Sequence, residues 1–207
     1  MPDRFANGDP SNDSPPEYGR PADRKTGQAY HGGDLRGVRE HLGYLKDLGV
    51  TGIDAIRQDT YPYVDRPFWE KWQTAIDRQF PNLVVVGEIT APTPASLAFF
   101  EGGVRRYGVD TKLPTMLDFP LEGALRSVFA QGQPMTKLVE ILAQDSLYRR
   151  PEMLVMFPGN HDQARLTTLV KGDISKLMMA QAFVLTTRRV VHLAPKEIQV
   201  YWAERAR

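Results

Sequence analysis

The chain has 207 residues, of which 42% are apolar and 25% are charged, the usage of an ordinary globular protein. Its 26 Lys and Arg residues against 25 Asp and Glu leave a net charge of +1, so the composition gives no general attraction to nucleic acid or to an anionic membrane. The absence of cysteine excludes disulfides, thiolate metal sites and a cysteine nucleophile.

The opening residues, MPDRFANGDP, lack the apolar region of a signal peptide. No apolar run approaches the roughly 20 residues that a membrane-spanning helix needs. We therefore expect a protein without a membrane partner, cytoplasmic as written, and periplasmic or secreted if its true N-terminus lies further upstream.

The predicted elements begin after a loop over residues 6–30, which is rich in Asn, Asp, Pro, Gly and Ser. Asp34 is a candidate cap for a helix that ends before Gly49, and five apolar side chains at helical spacing are expected to face a core: Leu35, Val38, Leu42, Leu45 and Leu48. Strands are then predicted over 51–58, 83–88, 115–120 and 153–159. Helices are predicted from Pro67 through FWEKWQTAI, near 94–101, and over 121–131, 136–147 and 173–188.

This alternation of strands and helices predicts an α/β fold with a parallel sheet and crossover helices. A doubly wound layer and part of a (β/α)₈ barrel both fit the pattern. Polar side chains come directly after the predicted strands: Asp59, Glu88, Asp118, His161 and Asp162. In both architectures the C-terminal ends of the strands hold the active site.

Carboxylates at several strand ends suit the cleavage of a glycosidic bond, in which one carboxylate attacks and another donates a proton to the leaving oxygen. Arg57 lies two residues before Asp59, so both side chains point the same way, and we expect the guanidinium to keep Asp59 ionised. Glu88 ends the apolar run LVVVG, where we expect burial to favour its protonated form. Structural salt bridges at the strand ends are the alternative interpretation.

The segments GIDAIRQDTYPY, VVVGEI and FPGNHD, in this order, resemble three sequence motifs of the α-amylase family of glycoside hydrolases. MPDRFANGDPSND and YHGGDLRGV resemble its neopullulanase and cyclomaltodextrinase branch, and with TKLPTMLDFPL the similarity covers most of residues 1–188. The resemblance implies retaining hydrolysis of α-1,4-glucosidic bonds in maltooligosaccharides, cyclodextrins or pullulan. An unrelated hydrolase or phosphatase of doubly wound fold is disfavoured, because no G-x-S-x-G or phosphate-binding loop is present.

The resemblance also implies a role for each matching residue. Asp59 would be the nucleophile, Glu88 the acid/base, and Asp162 a hydrogen-bonding group that helps to distort the sugar. Arg57 would orient Asp59, and His161 would bind the sugar in the reacting subsite. An ordinary histidine at a strand end is the alternative for His161.

Other conspicuous side chains have structural alternatives. Tyr61 and Tyr63 are candidates for stacking on a sugar, although packing in the core fits them equally well. Trp69 and Trp72, together with Phe68 and Ile76, are expected to pack their helix on the sheet. The basic pairs at 105–106 and 188–189 are expected on the solvated surface.

The early loop offers a second site. Six residues supply oxygen ligands on short spacings, as Ca²⁺ requires: Asn7, Asp9, Asn12, Asp13, Gly32 and Asp34. A plain cluster of turn residues is the alternative. The resemblance favours a structural calcium at these positions.

The chain departs from the family between Val50 and Gly52. In the family, the helix that ends at this point leads into the second barrel strand, whereas here it is followed directly by the motif of the fourth strand. The family's second and third strands and its inserted domain therefore have no counterpart in this sequence. We therefore predict a single domain over 1–207, a truncated (β/α) TIM-type barrel with about six of the eight strand equivalents, open along one side. Exposed sheet edges would favour homo-oligomers.

The alternative function is that of a catalytically silent, internally deleted fragment, at best an α-glucan-binding module.

Overall fold

A computed structural model describes residues 2–13, 21–26, 29–49, 55–188 and 190–191. The chain folds as two compact units, Met1–Gly52 and Ile53–Arg207. The single domain over 1–207 stays a prediction, and the junction at Thr51 and Gly52 lies outside the described residues.

The described residues of the first unit form three short α-helices, α1 (Pro2–Phe5), α2 (Leu35–Glu40) and α3 (Leu42–Asp47). Asp34 caps α2 as expected, since its carboxylate accepts the N–H of Gly37 at 2.6 Å. The single helix predicted here is interrupted at His41, whose backbone has left the helical region and whose ring binds the carbonyl oxygen of Gly37 at 2.8 Å.

The buried stripe predicted for this helix is wrong at three of its five positions, whereas Val38 and Leu45 are half-buried. Leu35, Leu42 and Leu48 are 77%, 55% and 63% exposed. The described residues of this unit include no strand, and α1, at four residues, is too short to cover two helices. Phe5 packs against both helices, with ring contacts to His41 at 5.9 Å and to Tyr44 at 6.2 Å.

The second unit has the predicted alternation. Its strands are β1 (Ala55–Gln58), β2 (Val84–Gly87), β3 (Thr115–Met116), β4 (Val155–Met156) and β5 (Val190–Val191), and its helices are α4 (Arg66–Gln79), α5 (Pro94–Ala98), α6 (Phe119–Phe129), α7 (Thr136–Leu142), α8 (Leu166–Leu169) and α9 (Ile174–Thr187). Strands β1, β2 and β3 form one parallel sheet in chain order. Strands β4 and β5 form a second parallel pair, and a parallel bridge from Leu117 to Val155 joins β3 to β4. The predicted parallel α/β arrangement is confirmed, and it brings the C-terminal ends of these strands to one edge.

Two of the strands are shorter than predicted. The strand predicted over 115–120 ends at Met116, because α6 begins at Phe119 with a proline in its first turn. The strand predicted over 153–159 is reduced to Val155–Met156, because residues 151–153 form a 3₁₀ turn. Residues 51–54 of the first predicted strand lie outside the described residues.

The core of this unit has two main apolar clusters. One packs α4 and α5 on the sheet around Val85, Leu97 and Met116, and the other packs α6, α7 and α9 around Leu121 and Leu125. Each fully buried side chain of this kind contributes about 1.5–3 kcal/mol.

The helix α4 meets the sheet as expected through Trp69, which is 3% exposed, and through the partly buried Trp72 and Ile76. Phe68 is 50% exposed and does not share that buried face. Within the described parts of the chain, no helix is both long enough and apolar enough to cross a membrane.

Candidate active site

The turn after β1 is tied to the end of β2 by three hydrogen bonds. The N–H of Glu88 donates to the carbonyl of Gln58 at 2.8 Å, and the N–H of Tyr61 donates to the carbonyl of Glu88 at 3.1 Å. Between them, the N–H of Thr60 donates to Oε2 of Glu88 at 2.8 Å. Thr60 has a φ of 48°, a left-handed backbone conformation that residues other than glycine seldom adopt. The hydrogen bonds of this turn therefore keep Thr60 in an unfavourable backbone conformation.

Arg57 joins the carboxylates of the two strand ends. Its Nη1 lies 2.5 Å from Oδ1 of Asp59, and its Nη2 lies 2.9 Å from Oε1 of Glu88. The parallel register places Arg57 beside Val86, two residues before Glu88 on the adjacent strand. The structure therefore brings together three of the residues that the sequence pointed to, around a single guanidinium.

The two carboxylates have different surroundings. The side chain of Glu88 is 9% exposed, whereas that of Asp59 is 51% exposed. Both carboxylate oxygens of Glu88 have a partner in this structure. Oε1 forms an ion pair with Arg57, and Oε2 accepts the N–H of Thr60. An open carboxylate beside a buried one is the arrangement in which one group can attack and the other can exchange a proton, provided that Glu88 exchanges one of these contacts for the leaving oxygen.

His161 and Asp162 lie in the loop after β4, at the same edge of the strands. Their side chains are 60% and 59% exposed, and Nε2 of His161 lies 3.4 Å from Oδ2 of Asp162. The buried Asn160 orders the loop, since its Oδ1 accepts the N–H of Asp162 at 3.0 Å. The hydrogen bonds and ion pairs of the described residues do not connect Asp162 to Asp59 or Glu88.

The prediction that Tyr61 stacks on a sugar is wrong for this structure. Tyr61 is 1% exposed, and its ring stacks on Trp69 with 4.3 Å between the centroids. Its carbonyl oxygen also accepts the indole N–H of Trp69 at 2.9 Å. Burial raises the pKa of its phenol. The alternative of core packing is correct for Tyr61, and the neighbouring Tyr63 is 87% exposed.

Asp118, at the end of β3, belongs to a buried ion network that sequence reasoning missed. It is 1% exposed, caps α6 by accepting the N–H of Leu121 at 3.2 Å, and pairs with Arg188 at 3.1 Å. Arg188 also pairs with Asp145 at 2.7 Å. Burial raises the pKa of Asp118, and the positive charge of Arg188 opposes that rise.

The expectation that Arg188 lies on the solvated surface is therefore wrong, since its side chain is 3% exposed. Arg105, from the other basic pair, is 61% exposed as expected and pairs with Glu70. The pattern of Asp118 followed by Phe-Pro is a recognisable helix start. Nothing in the local sequence of Arg188 indicates a carboxylate partner 70 residues away.

The six candidate calcium ligands lie together in the first unit. The amide nitrogen of Asn7 donates to both oxygens of Asp13 at 2.8 and 2.7 Å. Gly32 is packed against the same group, because a Cβ there would lie 2.8 Å from Oδ1 of Asp13. Asp9 donates its N–H to Asn7 and to Asp34, at 2.9 Å in both cases. Asn12 donates to Asp34 at 3.4 Å.

The fit of this cluster to Ca²⁺ is partial. Asn7, Asp13 and Gly32 are in contact and bring oxygen-bearing groups together, which suits a hard cation, but the amide nitrogen of Asn7 rather than its oxygen faces Asp13. The carboxylate of Asp34, in contrast, is occupied by the N–H groups of Gly8, Asp9 and Gly37. Those hydrogen bonds, with that of Gly37 the strongest, lower the pKa of Asp34. No group of three or more His, Cys, Asp or Glu side chains in the described ranges is arranged to hold a metal.

Comparison with known proteins gives the chain a family context. Residues 1–55 match the model of the α-amylase catalytic domain. A cyclomaltodextrinase from Bacillus sp. is 42% identical over 155 residues, which are 72% of this chain and 26% of the relative. Neopullulanase 2 from Thermoactinomyces vulgaris is 42% identical over 89 residues, or 40% of this chain and 14% of the relative. An α-amylase from Streptomyces lividans is 31% identical over 131 residues, or 58% of this chain and 13% of the relative.

Solved structures give the same result. A cyclomaltodextrin glucanotransferase with a three-domain ABC distribution aligns with a TM-score of 0.61 at 26% identity, over 82% of this chain and 34% of that one. The α-amylase from Geobacillus thermoleovorans, complexed with acarbose, aligns with a TM-score of 0.60 at 25% identity, over 75% of this chain and 36% of that one. The chain spans between 13% and 26% of the length of the curated relatives named above. These matches confirm the resemblance drawn from the sequence: the chain is a relative of the α-amylase family of glycoside hydrolases, with cyclomaltodextrinase and neopullulanase among its similar proteins.

Proposed function

We propose that this chain carries the catalytic carboxylates of a glycoside hydrolase that cleaves α-1,4-glucosidic bonds in maltooligosaccharides, cyclodextrins or pullulan. The observation that carries the proposal is the bridge that Arg57 forms between Asp59 and Glu88, at the C-terminal ends of two adjacent parallel strands. The names of the relatives support the substrate class.

The reaction would proceed with retention, by double displacement. Asp59, open to solvent and paired with Arg57, attacks the anomeric carbon and forms a glycosyl ester. Glu88 donates a proton to the leaving oxygen and then removes one from the incoming water. Asp162 and His161 hydrogen-bond the sugar in the reacting subsite.

The scaffold that we infer for this site is a shortened, open (β/α) barrel. Its strand β1 is paired on one side only among the described strands, and an exposed edge of this kind favours association between copies. In the first unit, Asn7, Asp13 and Gly32 would hold a structural Ca²⁺, which would cross-link the early loop to the residues before α2.

A second candidate, an α-glucan-binding module without catalysis, is favoured by one specific observation. Glu88 accepts from both Arg57 and Thr60, so neither of its oxygens is free to donate a proton in this arrangement. A sugar could then be held at the strand ends without being cleaved.

Release of reducing ends from maltoheptaose and from a cyclodextrin tests the proposal. We expect Asp59→Asn and Glu88→Gln to lower kcat by about three orders of magnitude or more, as expected for removing a nucleophile or a general acid. Asp65→Asn is the matched control, because Asp65 is exposed and its side chain caps nothing. Equal release by the wild type and Asp59→Asn would overturn the catalytic proposal. Binding of acarbose without any release by the wild type would favour the binding module.

A further inference from the structure

The loop that carries His161 and Asp162 is fixed to α6 by two side chains. Nη1 of Arg126 donates to the carbonyl oxygen of Ala164 at 3.1 Å. The side-chain amide of Gln163 donates to Oε2 of Glu122 at 3.4 Å. Glu122 and Arg126 lie four residues apart, and so on one face of the helix. Both contacts therefore hold the same short stretch of the loop.

The contacts form the base of the loop, which is buried on the α6 side while Ala164 itself is exposed. Glu122 is 2% exposed and the side chain of Arg126 is 19% exposed, whereas His161 and Asp162 at the tip are about 60% exposed. Asn160 is 8% exposed and holds the N–H of Asp162 from the other side. The N–H of Asp162 is thus held by Asn160, and the two residues after Asp162 are held by α6.

The base of the loop contains buried polar atoms whose pairing is incomplete, which is unfavourable for stability. Oε1 of Glu122 lies 3.4 Å from Nη1 of Arg126 but has no hydrogen bond, and Oε1 of Gln163 is also buried without a partner among the described residues. Burial raises the pKa of Glu122, and the charge of Arg126 opposes that rise. A buried, incompletely paired carboxyl group costs stability that an apolar side chain on this helix face would not. Such a cost is commonly retained where a group serves a function.

We propose that Glu122 and Arg126 are positioning residues, which fix the loop so that His161 and Asp162 face the sugar at the strand ends. This inference rests on the proposed function. Neither residue touches the sugar. They act through the backbone and side chains of Gln163 and Ala164, directly after Asp162. A misplacement of a reacting group by about 1 Å can lower a rate by a hundredfold, so a fixed loop has a catalytic value beyond its stability.

Amide hydrogen exchange of the full chain measures the fixation directly. In Arg126→Gln and in Glu122→Gln, we expect the amide of Asp162, which donates to Asn160, to exchange about tenfold faster, because a charge-assisted hydrogen bond that fixes the adjacent residues is lost or weakened. Arg105→Gln removes an exposed Arg–Glu pair of the same kind and is the matched control, for which we expect no change in this loop. Unchanged exchange in both test variants would overturn the inference.

A kinetic cycle separates positioning from a merely structural role. In the wild-type background, Arg126→Gln should lower kcat about tenfold to a hundredfold and change KM by less than about threefold. In the Asp162→Asn background, the same substitution should have little further effect, because the group that it positions has already been removed. An equal fall of kcat in both backgrounds would contradict the inference. If the wild-type chain cleaves nothing, the proposed function fails, and the exchange measurement alone decides whether α6 fixes the loop.

Discussion

Replacing Arg188 by methionine should destabilise the second unit strongly, because it leaves Asp118 buried without its cation. Asp118 is 1% exposed, and Arg188 reaches it with Nε at 3.2 Å and Nη2 at 3.1 Å. Removing one partner of a buried pair costs about 3–5 kcal/mol. The lost contact with Asp145, which is 30% exposed, adds at most about 1 kcal/mol. The total is a large part of the roughly 5–15 kcal/mol that holds an ordinary domain together.

The destabilisation caused by Arg188→Met should also depend on pH. Burial raises the pKa of Asp118 above its usual 3.8, and the charge of Arg188 limits that rise. Without Arg188 the pKa rises further, so the buried carboxyl group is tolerated as a neutral acid at low pH and costs most once the pH exceeds its folded-state pKa. We therefore expect the difference between wild type and variant to be larger at neutral pH than near pH 4.

Urea unfolding followed by circular dichroism measures this difference. Arg105→Met, which breaks an exposed pair with Glu70, is the control and should cost less than about 1 kcal/mol. Adding Asp118→Asn to Arg188→Met should recover much of the loss, because the amide still accepts from Leu121 without carrying a charge. An Arg188→Met variant whose free energy of unfolding lies within about 1 kcal/mol of wild type, or a destabilisation that does not change with pH, would show that Arg188 does not neutralise a buried charge on Asp118.

Three further predictions concern other parts of the molecule. Trp69→Phe should cost about 1–3 kcal/mol in urea unfolding, because it removes the indole hydrogen bond to Tyr61 and part of the ring stack. Acidification below pH 3.8 should loosen the first unit, measured as faster amide exchange after correction for intrinsic rates. Hydrogen bonds lower the pKa of Asp9 and Asp34 in the folded state. The stability that these two carboxylates contribute is therefore present above pH 3.8 and is lost as the pH falls through the folded-state pKa. Calcium should raise the melting temperature of the wild type but not of Asp13→Asn, and equal shifts in both proteins would count against the proposed ion site.

Residue spacing was sufficient to predict the centre of the candidate site. The two-residue period of a strand places Arg57 beside Asp59, and the parallel order of the strands brings Glu88 to the same edge. Both relations are local or follow from the fold class. The approximate bounds of α4 and α9 could likewise be predicted from the spacing of their apolar residues and from the residues that start each helix.

Residues whose environment depends on distant partners were not predictable in this way. Tyr61 is adjacent to polar and turn residues in the sequence, yet Trp69 of α4 buries it. Arg188 is buried because two carboxylates from separate elements converge on it. The leucines of α2 and α3 have helical spacing, but spacing does not supply a surface for them to pack against.

Covalent trapping is the most direct test of the proposed role of Asp59 as the nucleophile that accepts the glycosyl group. A 5-fluoro-α-glucosyl fluoride forms a slowly hydrolysed ester with the nucleophile of a retaining glycosidase, and intact-protein mass followed by peptide mapping locates the adduct. We expect one added glycosyl group on Asp59, no adduct with Asp59→Asn, and normal labelling of Asp65→Asn. An unlabelled wild-type protein, or an adduct on another residue, would contradict this role.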